Sequence, residues 1–368
     1  MPDRLAVQES ARSFSNPTDM GHFPGDRIGF KGTTLSLQEV ARRAKVSTAT
    51  VSRVLNNVGV VRSSTRARVI KAVADLNYHP NLHARSLAAG KSQTIGILVS
   101  NMENPFFFDI VAQLESQAHS RGYEIVVANT NYQAEQLAKS TRLMVGRRVI
   151  GLAAIVSEIE PGIIDELVSA KIPVVFYDVG PVKRNITNIR LNYRKGMEKV
   201  AEYLNILGHR KRIGWVGHHI EFRPLYERRN ALVDAFQRFA PEAEVRTFVG
   251  EDHLEGGWRV TREMLSSGFK PTAVVCANDF MAIGVLRALR EEGLSVPGDV
   301  SVTGVDNIRM SEFCYPALTT VHVPRDRIGR IAFEKLTSGM EKAATLGSEI
   351  LIEPDLVLRE STGAAKHS

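Results

Sequence analysis

A run of polar side chains near the amino end could bind nucleic acid. Residues 47–56, STATVSRVLN, contain small hydroxyl groups, an amide and a single arginine. An arginine can form two hydrogen bonds with guanine in the major groove, whereas hydroxyl and amide groups often bind phosphates. We predict contacts with base edges from Thr48, Ala49 and Arg53. Phosphate contacts are expected from the remaining polar residues, which are Ser47, Thr50, Ser52 and Asn56.

Two short helices would position these side chains. Ser36 and Glu39 form a capping box, so the first helix begins at Leu37. Ser47 can cap a second helix, whose inner face comprises Val51, Val54 and Leu55. Such a pair, joined by a tight turn, presents the start of its second helix to a major groove. For a generic pair of short helices, a solvent-facing hairpin in a larger fold is the alternative.

A third helix should close a small core against this pair. Ser63 or Ser64 can cap it, so we expect a late start, after one of these two residues. Its predicted inner face comprises Val69, Ile70, Val73 and Leu76.

The spacing V-A-x-x-A-x-V-S-x-x-T-V-S-R-V-L-N, with Tyr78-x-Pro80-Asn81 and Ala84-Arg85-Ser86-Leu87 after it, resembles the LacI/GalR family of transcriptional regulators. Lys45 departs from the family pattern, which has glycine at the turn. A lysine there must avoid left-handed geometry or accept strain. The resemblance implies a hinge helix in residues 80–92 that forms at the minor groove, with Leu87 as the wedge between base pairs. A plain linker is the alternative.

Charge is concentrated around the helix pair. Residues 34–91 contain ten Lys or Arg and two acidic residues, a local net charge of +8, whereas the whole chain carries +7. Such a segment suits phosphate neutralisation. The first 33 residues form neither a signal peptide nor an apolar block, and we expect a disordered tail there, a second short tail at 363–368, no membrane span and a cytoplasmic location. Cys276 and Cys314 are expected to be buried thiols.

From residue 93, strand-length apolar runs alternate with helical segments in two similar halves. This pattern predicts an α/β fold with parallel sheets covered on both faces. The resemblance implies a two-lobed core like that of periplasmic binding proteins, with crossings near 192, 321–324 and 345–348. The predicted domains are the helix-turn-helix domain at 34–79, the hinge at 80–92, lobe 1 at 93–192 with 324–345, and lobe 2 at 193–323 with 346–362.

Ligands bind beyond the carboxyl ends of strands in open α/β sheets, so we expect the residues at those ends to line an effector pocket. Phenylalanine rings could cover a sugar ring, and an aspartate could accept two hydroxyl hydrogen bonds. The resemblance implies that Arg229 is the family arginine of R-x-x-G-F. The predicted effector-binding residues are Ser100, Phe106, Phe107, Arg223, Arg229, Asn278 and Asp306.

Four further side chains are interpreted as structural, and the two arginines are interpreted by their charge. We expect Asp279 to cap the following helix, Phe108 to lie in the core and His218 with His219 to lie at the cleft edge. Two cleft arginines, Arg223 and Arg229, would indicate an acidic effector such as a sugar acid or a phosphorylated sugar.

No catalytic motif is recognisable, and we predict no cofactor, no metal site and no enzymatic activity. The sequence predicts a ligand-responsive transcriptional regulator, most often a repressor, that binds a near-palindromic operator in double-stranded DNA. We expect a homodimer, with a tetramer left open, controlled by a small-molecule effector that is a sugar or sugar acid. The alternatives are a sugar-binding receptor without a regulatory role and a lobe enzyme fused to a DNA-binding domain.

Overall fold

The computed structural model describes residues 36–56, 58–78, 92–341 and 346–366. The chain divides into two compact units, Met1–Arg85 and Ser86–Ser368, which we name the N-terminal unit and the core unit. The predicted tail at 1–33 lies outside the described residues. So does the hinge segment up to residue 91, which includes Leu87.

Three helices make up the described part of the N-terminal unit: α1 (Leu37–Ala44), α2 (Thr48–Leu55) and α3 (Ser63–Asp75). The predicted capping box is confirmed, since the backbone N–H of Ser36 donates to Glu39 at 2.8 Å and that of Glu39 to the Ser36 hydroxyl at 3.3 Å. Ser47 caps α2 by accepting from the backbone N–H of Thr50 at 3.2 Å. Local hydrogen bonds in the sequence therefore fix where both helices begin.

A small apolar core joins the three helices. Val40, Val51 and Val69 are fully buried in it. Ile70 was predicted to face inward but is 55% exposed, because one residue rotates the helix by about 100° away from the stripe through Val69. The late start predicted for α3 is also wrong, since Arg62 itself is the N-cap and makes no side-chain cap bond.

Lys45 accepts the strain that its position imposes. It has φ 53° and ψ 51°, the left-handed region, and its backbone N–H donates to the carbonyls of Ala41 and Arg42. The bonds close the end of α1 so that the chain can turn directly into α2. A side chain other than glycine in this conformation costs about 1 kcal/mol or more.

The core unit contains two six-stranded sheets. Lobe 1 holds β1 (Thr94–Val99), β2 (Glu124–Asn129), β3 (Gly151–Ile155), β4 (Val174–Tyr177), β5 (Ile186–Leu191) and β11 (Glu349–Ile352), in the spatial order β11-β5-β4-β3-β1-β2 and all parallel. Its helices are α4 (Pro105–Ser120), α5 (Ala134–Gly146), α6 (Pro161–Ala170) and α12 (Arg325–Glu341).

Lobe 2 holds β6 (Arg212–Gly217), β7 (Glu244–Val249), β8 (Ala273–Cys276), β9 (Ser301–Asp306), β10 (Thr319–His322) and β12 (Asp355–Val357), in the order β12-β10-β9-β8-β6-β7. Only the β12 pairing is antiparallel among the described strands of this sheet. Its helices are α7 (Tyr193–Ile206), α8 (Arg223–Phe239), α9 (Leu254–Ser266), α10 (Asp279–Glu291) and α11 (Arg309–Phe313). The parallel sheets are the architecture that the alternating pattern predicted.

The chain passes between the lobes at three places: at Asn192, between β10 and α12, and between β11 and β12. The third crossing lies at Glu353–Pro354 and not at 345–348. Residues 349–352 were assigned to lobe 2, but they pair in parallel with β5 of lobe 1. A four-residue apolar strand gives no indication in sequence of which sheet it will join.

Helices α9 and α10 pack with their backbones in close contact. A Cβ atom on Gly257 would lie 2.1 Å from the carbonyl oxygen of Met281, and one on Gly284 would lie 2.0 Å from that of Leu254. Only glycine permits this approach. The packing fixes the start of α9 beside the start of α10, and both starts lie at the cleft between the lobes.

Two expectations about composition can be compared with the described residues. Cys276 is fully buried as predicted, whereas Cys314 is partly exposed. Across the described ranges, none of the helices has the length and apolar character needed to cross a bilayer. Nor does any group of three or more His, Cys, Asp or Glu there have an arrangement suited to a metal ion.

We predict that Lys45→Gly stabilises the N-terminal unit by about 1 kcal/mol, because glycine removes the left-handed strain. Hydrogen exchange of the α1 and α2 backbone amides measures this as slower opening. Lys71→Gly, at an exposed position inside α3, is the control and should destabilise by about 1 kcal/mol. Equal destabilisation by both substitutions would show that Lys45 carries no strain.

Candidate DNA-binding helix and effector cleft

The second helix presents its predicted contact residues on the side away from the core. Ser47, Thr48, Ala49 and Arg53 are exposed, while Val51 and Val54 on the opposite face are buried. Thr50, Ser52 and Asn56 are half-buried, and each takes part in a local side-chain hydrogen bond. The Ser47 and Thr50 hydroxyls lie 2.9 Å apart, and the Asn56 amide donates to the Ser52 hydroxyl at 3.1 Å.

The residues around α1 and α3 include exposed basic side chains. Arg42, Lys45, Arg62 and Arg68 are exposed, and so is Arg43, although it pairs with Asp75 at 3.2 Å. Because most of these charges face solvent, they are free to neutralise phosphates. The exposed start of α2 and its cationic surroundings together form a surface suited to duplex DNA.

A narrow cavity lies between the two lobes of the core unit. Its lining comes from residues that follow the carboxyl ends of strands and from the first turns of α4 and α8, as expected for open α/β sheets. Lobe 1 contributes Asn104, Phe106, Phe107, Tyr132, Ile155, Val156, Ser157, Tyr177 and Asp178, and lobe 2 contributes His218, Pro224, Leu225, Arg228, Asp252, Asn278 and Asp306.

Arg228 is the arginine of this cavity. Its guanidinium donates to the Ala277 carbonyl at 2.8 Å and to the Tyr193 hydroxyl at 2.5 Å, and it lies 4.2 Å from the centre of the Tyr193 ring. The side chain is only 7% exposed, and its Nε atom has no hydrogen-bond partner. One donor of a buried cation is therefore left for a ligand.

The predicted Arg229 and Arg223 do not line the cavity. Arg229 donates to the Thr247 hydroxyl at 2.8 Å, and Arg223 pairs with Glu227 at the surface. The motif R-x-x-G-F corresponds to Arg228-Arg229-Asn230-Ala231-Leu232, one residue earlier than we assigned it. The buried stripe of α8 includes Leu225, Arg228, Ala231 and Leu232. Arg229, one residue after Arg228, therefore points away from that stripe.

Asp306 ends β9 inside the cavity, as predicted. It is 2% exposed, its backbone has φ 107°, and its Oδ1 atom has no hydrogen-bond partner. Burial raises the pKa of this carboxyl well above its usual value, against the opposing effect of Arg228. A buried acceptor without a partner is costly, so this atom offers a strong binding point for a ligand donor.

Asp178 and His218 have altered pKa values because both are buried. Burial raises the pKa of Asp178 to about 6, although Tyr193 donates to it at 2.5 Å and the Leu191 backbone N–H at 2.9 Å. Burial lowers the pKa of His218 to about 4. His218 is therefore neutral near pH 7, and its Nδ1 atom has no hydrogen-bond partner.

Of the two predicted aromatic residues, both line the cavity. Phe106 contacts Phe107 edge-on, with 5.2 Å between ring centres, and Tyr177 at 5.7 Å. Phe108 was expected in the core but is 56% exposed. The helical period places residues 106, 107 and 110 inward on α4 and turns residue 108 to solvent.

Ser100 and Asp279 have supporting positions. Ser100 is buried and donates to Glu158 at 2.7 Å, which holds the loop after β3, so it does not line the cavity. Asp279 does not cap α10. Asn278 does, accepting from the backbone N–H of Met281 at 2.8 Å, while its amide donates to Asp252. Asp279 instead accepts from the Ile308 N–H and the Thr320 hydroxyl, and burial raises its pKa to about 7.

Sequence reasoning missed four lining residues that carry much of the polar chemistry: Tyr132, Asp178, Arg228 and Asp252. Asp178 and Asp252 follow strands closely, so the rule that selected Asp306 could have selected them. The same rule would not have selected Tyr132, because Asn131 and Tyr132 adopt left-handed backbone angles that redirect the chain after β2.

Replacing Arg228 should destabilise the core unit far more than replacing its neighbour. We predict a loss of about 3 kcal/mol in the free energy of unfolding for Arg228→Gln, because buried carboxylates lose their cation. Arg229→Gln, the control, should cost about 1 kcal/mol or less. Urea denaturation followed by tryptophan fluorescence compares the two. Similar losses would mean that Arg228 is not the buried charge around which the cavity is built.

Comparisons with known proteins agree with this architecture. Residues 36–81 match the model for bacterial regulatory proteins of the lacI family, and residues 201–362 match a periplasmic binding protein-like domain. The transcriptional repressor PurR of Vibrio vulnificus is 34% identical over 333 residues, 89% of this chain and 98% of the relative.

Solved structures give the same result. A lac repressor dimer bound to operator and the anti-inducer ONPF superposes with a TM-score of 0.78 at 29% identity, covering 90% of this chain and 99% of that one. A LacI family regulator from Enterococcus faecium with bound ribose gives a TM-score of 0.67 at 27% identity, covering 74% and 100%.

These comparisons confirm the predicted family and fold, and both PurR and the lac repressor are repressors by name. The helix-turn-helix segment and the bilobal core occur together in one chain. The chain therefore belongs to the lacI family of bacterial regulatory proteins and is a DNA-binding transcriptional regulator.

Proposed function

We propose that this regulator is a repressor that binds a near-palindromic operator as a homodimer and responds to a small neutral sugar in the interlobe cavity. The observation that carries the proposal is the pairing of two features in one chain. One is the exposed polar start of α2, and the other is a buried cavity with unpartnered polar atoms. We place its action in the cytoplasm, where bacterial DNA is accessible.

The DNA contacts are proposed for α2. Arg53 is exposed in the last turn of a short helix and can reach guanine in the major groove, with Thr48 and Ala49 at neighbouring base edges. Ser47, Thr50, Ser52 and Asn56 would hold the helix through phosphates, and Leu87 would act at the central step. Phosphate contacts fix the register, whereas base contacts select the sequence.

The dimer proposal is supported by the lac repressor structure, which is a dimer on its operator. Two copies related by a twofold axis would present two α2 helices to two half-sites, which explains why a near-palindromic site is expected. A tetramer remains open, because no feature of the described residues favours it.

A neutral sugar fits the cavity better than a sugar acid does. The two arginines that suggested an acidic effector lie outside the cavity, and Arg228 shares it with Asp178, Asp252 and Asp306. An anion would therefore meet more carboxylates than cations. Phe106 and Phe107 supply apolar faces, Asp306 accepts hydroxyl hydrogen bonds, and the ribose-bound relative uses the same fold for a sugar.

Effector binding is proposed to change the angle between the lobes and so the spacing of the two DNA-binding helices in the dimer. Such coupling is typically worth about 1 to 3 kcal/mol in operator affinity. Either sign is compatible with the cavity, so the effector is an inducer or a corepressor.

Arg53→Ala should weaken operator preference. We expect specific affinity to fall by about 1 to 3 kcal/mol while nonspecific binding changes little, because a base contact and only one charge are lost. Gel shift with a duplex selected from a random library, against a scrambled duplex at fixed salt, measures both. Arg147→Ala, an equal charge change on the core unit, is the control. A sequence preference in Arg53→Ala equal to that of the parent would contradict the assignment.

A thermal-shift screen of sugars, sugar acids and nucleobases tests the cavity. The largest rise in melting temperature is expected from a neutral sugar, since ligand at 100-fold its Kd stabilises by about 2.7 kcal/mol. Asp306→Ala should lose the response because both acceptor oxygens are gone, whereas Asp326→Ala at the surface should keep it. Stronger stabilisation by a sugar acid than by its parent sugar would count against the neutral ligand.

A further inference from the structure

One carboxylate of lobe 2 collects hydrogen bonds from three side chains of lobe 1. Asp252 follows β7, and its Oδ2 atom accepts from the Tyr132 hydroxyl at 2.5 Å. Asn104 donates to both carboxylate oxygens at 3.3 Å, and Asn101 donates to the Asp252 backbone carbonyl at 2.8 Å and to Oδ2 at 3.2 Å. These contacts join the lobes directly.

The Asp252 carboxylate is fully occupied by donors of the protein. Within lobe 2 the Asn278 amide donates to Oδ1 at 2.6 Å, and His218 lies 3.7 Å away. The residue is 4% exposed, yet these donors and His218 hold its pKa below the usual value against the effect of burial. An ionised carboxylate in this place is stable only while the donors of lobe 1 remain in contact, because burial without partners is costly.

The position of Asp252 in the fold lets these bonds restrain rotation of one lobe against the other. The three crossings between the lobes adjoin β5 and β11 of lobe 1 and β10 and β12 of lobe 2. In each sheet these strands lie at the same end. Tyr132 follows β2 and Asp252 follows β7, the edge strands at the other end. The contacts therefore lie at the mouth of the cleft, farthest from the three connections about which the lobes can rotate.

Aromatic packing at the mouth reinforces the same closure. The Tyr132 ring lies 4.7 Å from the His219 ring and 6.2 Å from the Phe222 ring, both in the loop after β6 of lobe 2. Tyr132 thus contacts lobe 2 through its hydroxyl and through its ring faces. Opening the cleft would expose this stack and leave a buried carboxylate with fewer partners.

We propose that Asp252 is an interlobe clasp that holds the effector cleft closed at its mouth, and that its release is the step that admits effector and changes operator affinity. The regulatory half rests on the proposed function, whereas the closure itself does not. Asn101, Asn104 and Tyr132 are the positioning residues that engage the clasp from lobe 1.

The distance between spin labels across the mouth tests the closure. Labels at Glu135→Cys in α5 and Glu255→Cys in α9, in the full chain with Cys314→Ser, report on the gap between the lobes; Cys276 is buried and stays in place. We expect one short distance population without ligand. Asp252→Asn removes charge and one acceptor, so it should add a longer population. Tyr132→Phe, which keeps the ring, should do the same to a smaller extent.

Glu251→Gln is the matched control, since it makes the same acid-to-amide change one residue earlier, where the side chain pairs with Arg259 inside lobe 2. Its distance distribution should equal that of the parent. A parent that is already open, or Asp252→Asn and Tyr132→Phe distributions identical to the parent, would overturn the clasp. Tyr132→Phe decides the closure even if Asp252→Asn does not fold.

The regulatory half is tested on the same variants by gel shift with the duplex selected by the parent. We expect the operator affinity of Asp252→Asn to change at least fivefold relative to Glu251→Gln, as a coupling of about 1 kcal/mol requires. An opened cleft with unchanged operator affinity would overturn the regulatory role and leave the closure standing. Absence of sequence preference in the parent itself would refute the proposed function and not the clasp.

Discussion

The buried guanidinium of Arg228 is the constraint on which the architecture of the cleft depends. A cation that is only 7% exposed is stable only with hydrogen-bond acceptors and negative charge around it. The Tyr193 hydroxyl and the Ala277 carbonyl supply the acceptors, and Tyr193 in turn donates to Asp178 of lobe 1. Arg228 therefore links α8 of lobe 2 to the first crossing at Asn192, and it ties the geometry of the cavity to the hinge of the core unit.

The two ends of the cleft are held by different polar networks. At the hinge end, Asp178, Tyr193 and Arg228 form a short buried chain of hydrogen bonds. At the mouth, Asp252 accepts bonds from lobe 1. Between them lie three buried atoms without partners: Asp306 Oδ1, Arg228 Nε and His218 Nδ1. Closed networks at both ends and unsatisfied atoms between them are the arrangement expected of a cavity that selects a polar ligand.

The N-terminal unit is stabilised by other interactions than the cleft. Its core consists mainly of valine and alanine from three short helices, and packing in this core is supplemented by local hydrogen bonds. The Ser36–Glu39 box, the Ser47 cap and the left-handed turn at Lys45 fix the angle between α1 and α2. The outward face of α2 therefore takes no part in the packing of the three helices, which suits contact with DNA.

The sequence by itself determined the local structure and the family. The capping residues, the apolar stripe through Val51 and Val54, and the alternation of strands and helices depend on neighbours in the chain, and these predictions agree with the structure. Asn278 and Asp306 could also be predicted as cavity residues from the sequence, because the carboxyl ends of parallel strands face the cleft whatever the remaining packing is.

Only the tertiary structure decided which side chains meet. One residue of rotation on α8 separates Arg228 in the cavity from Arg229 outside it, and a short apolar strand at 349–352 joins lobe 1 because β5 offers it an unpaired edge. Asp252 meets Asn101, Asn104 and Tyr132 across more than a hundred residues of chain. Contacts of this kind depend on how two sheets face each other, and no local pattern of residues encodes that orientation.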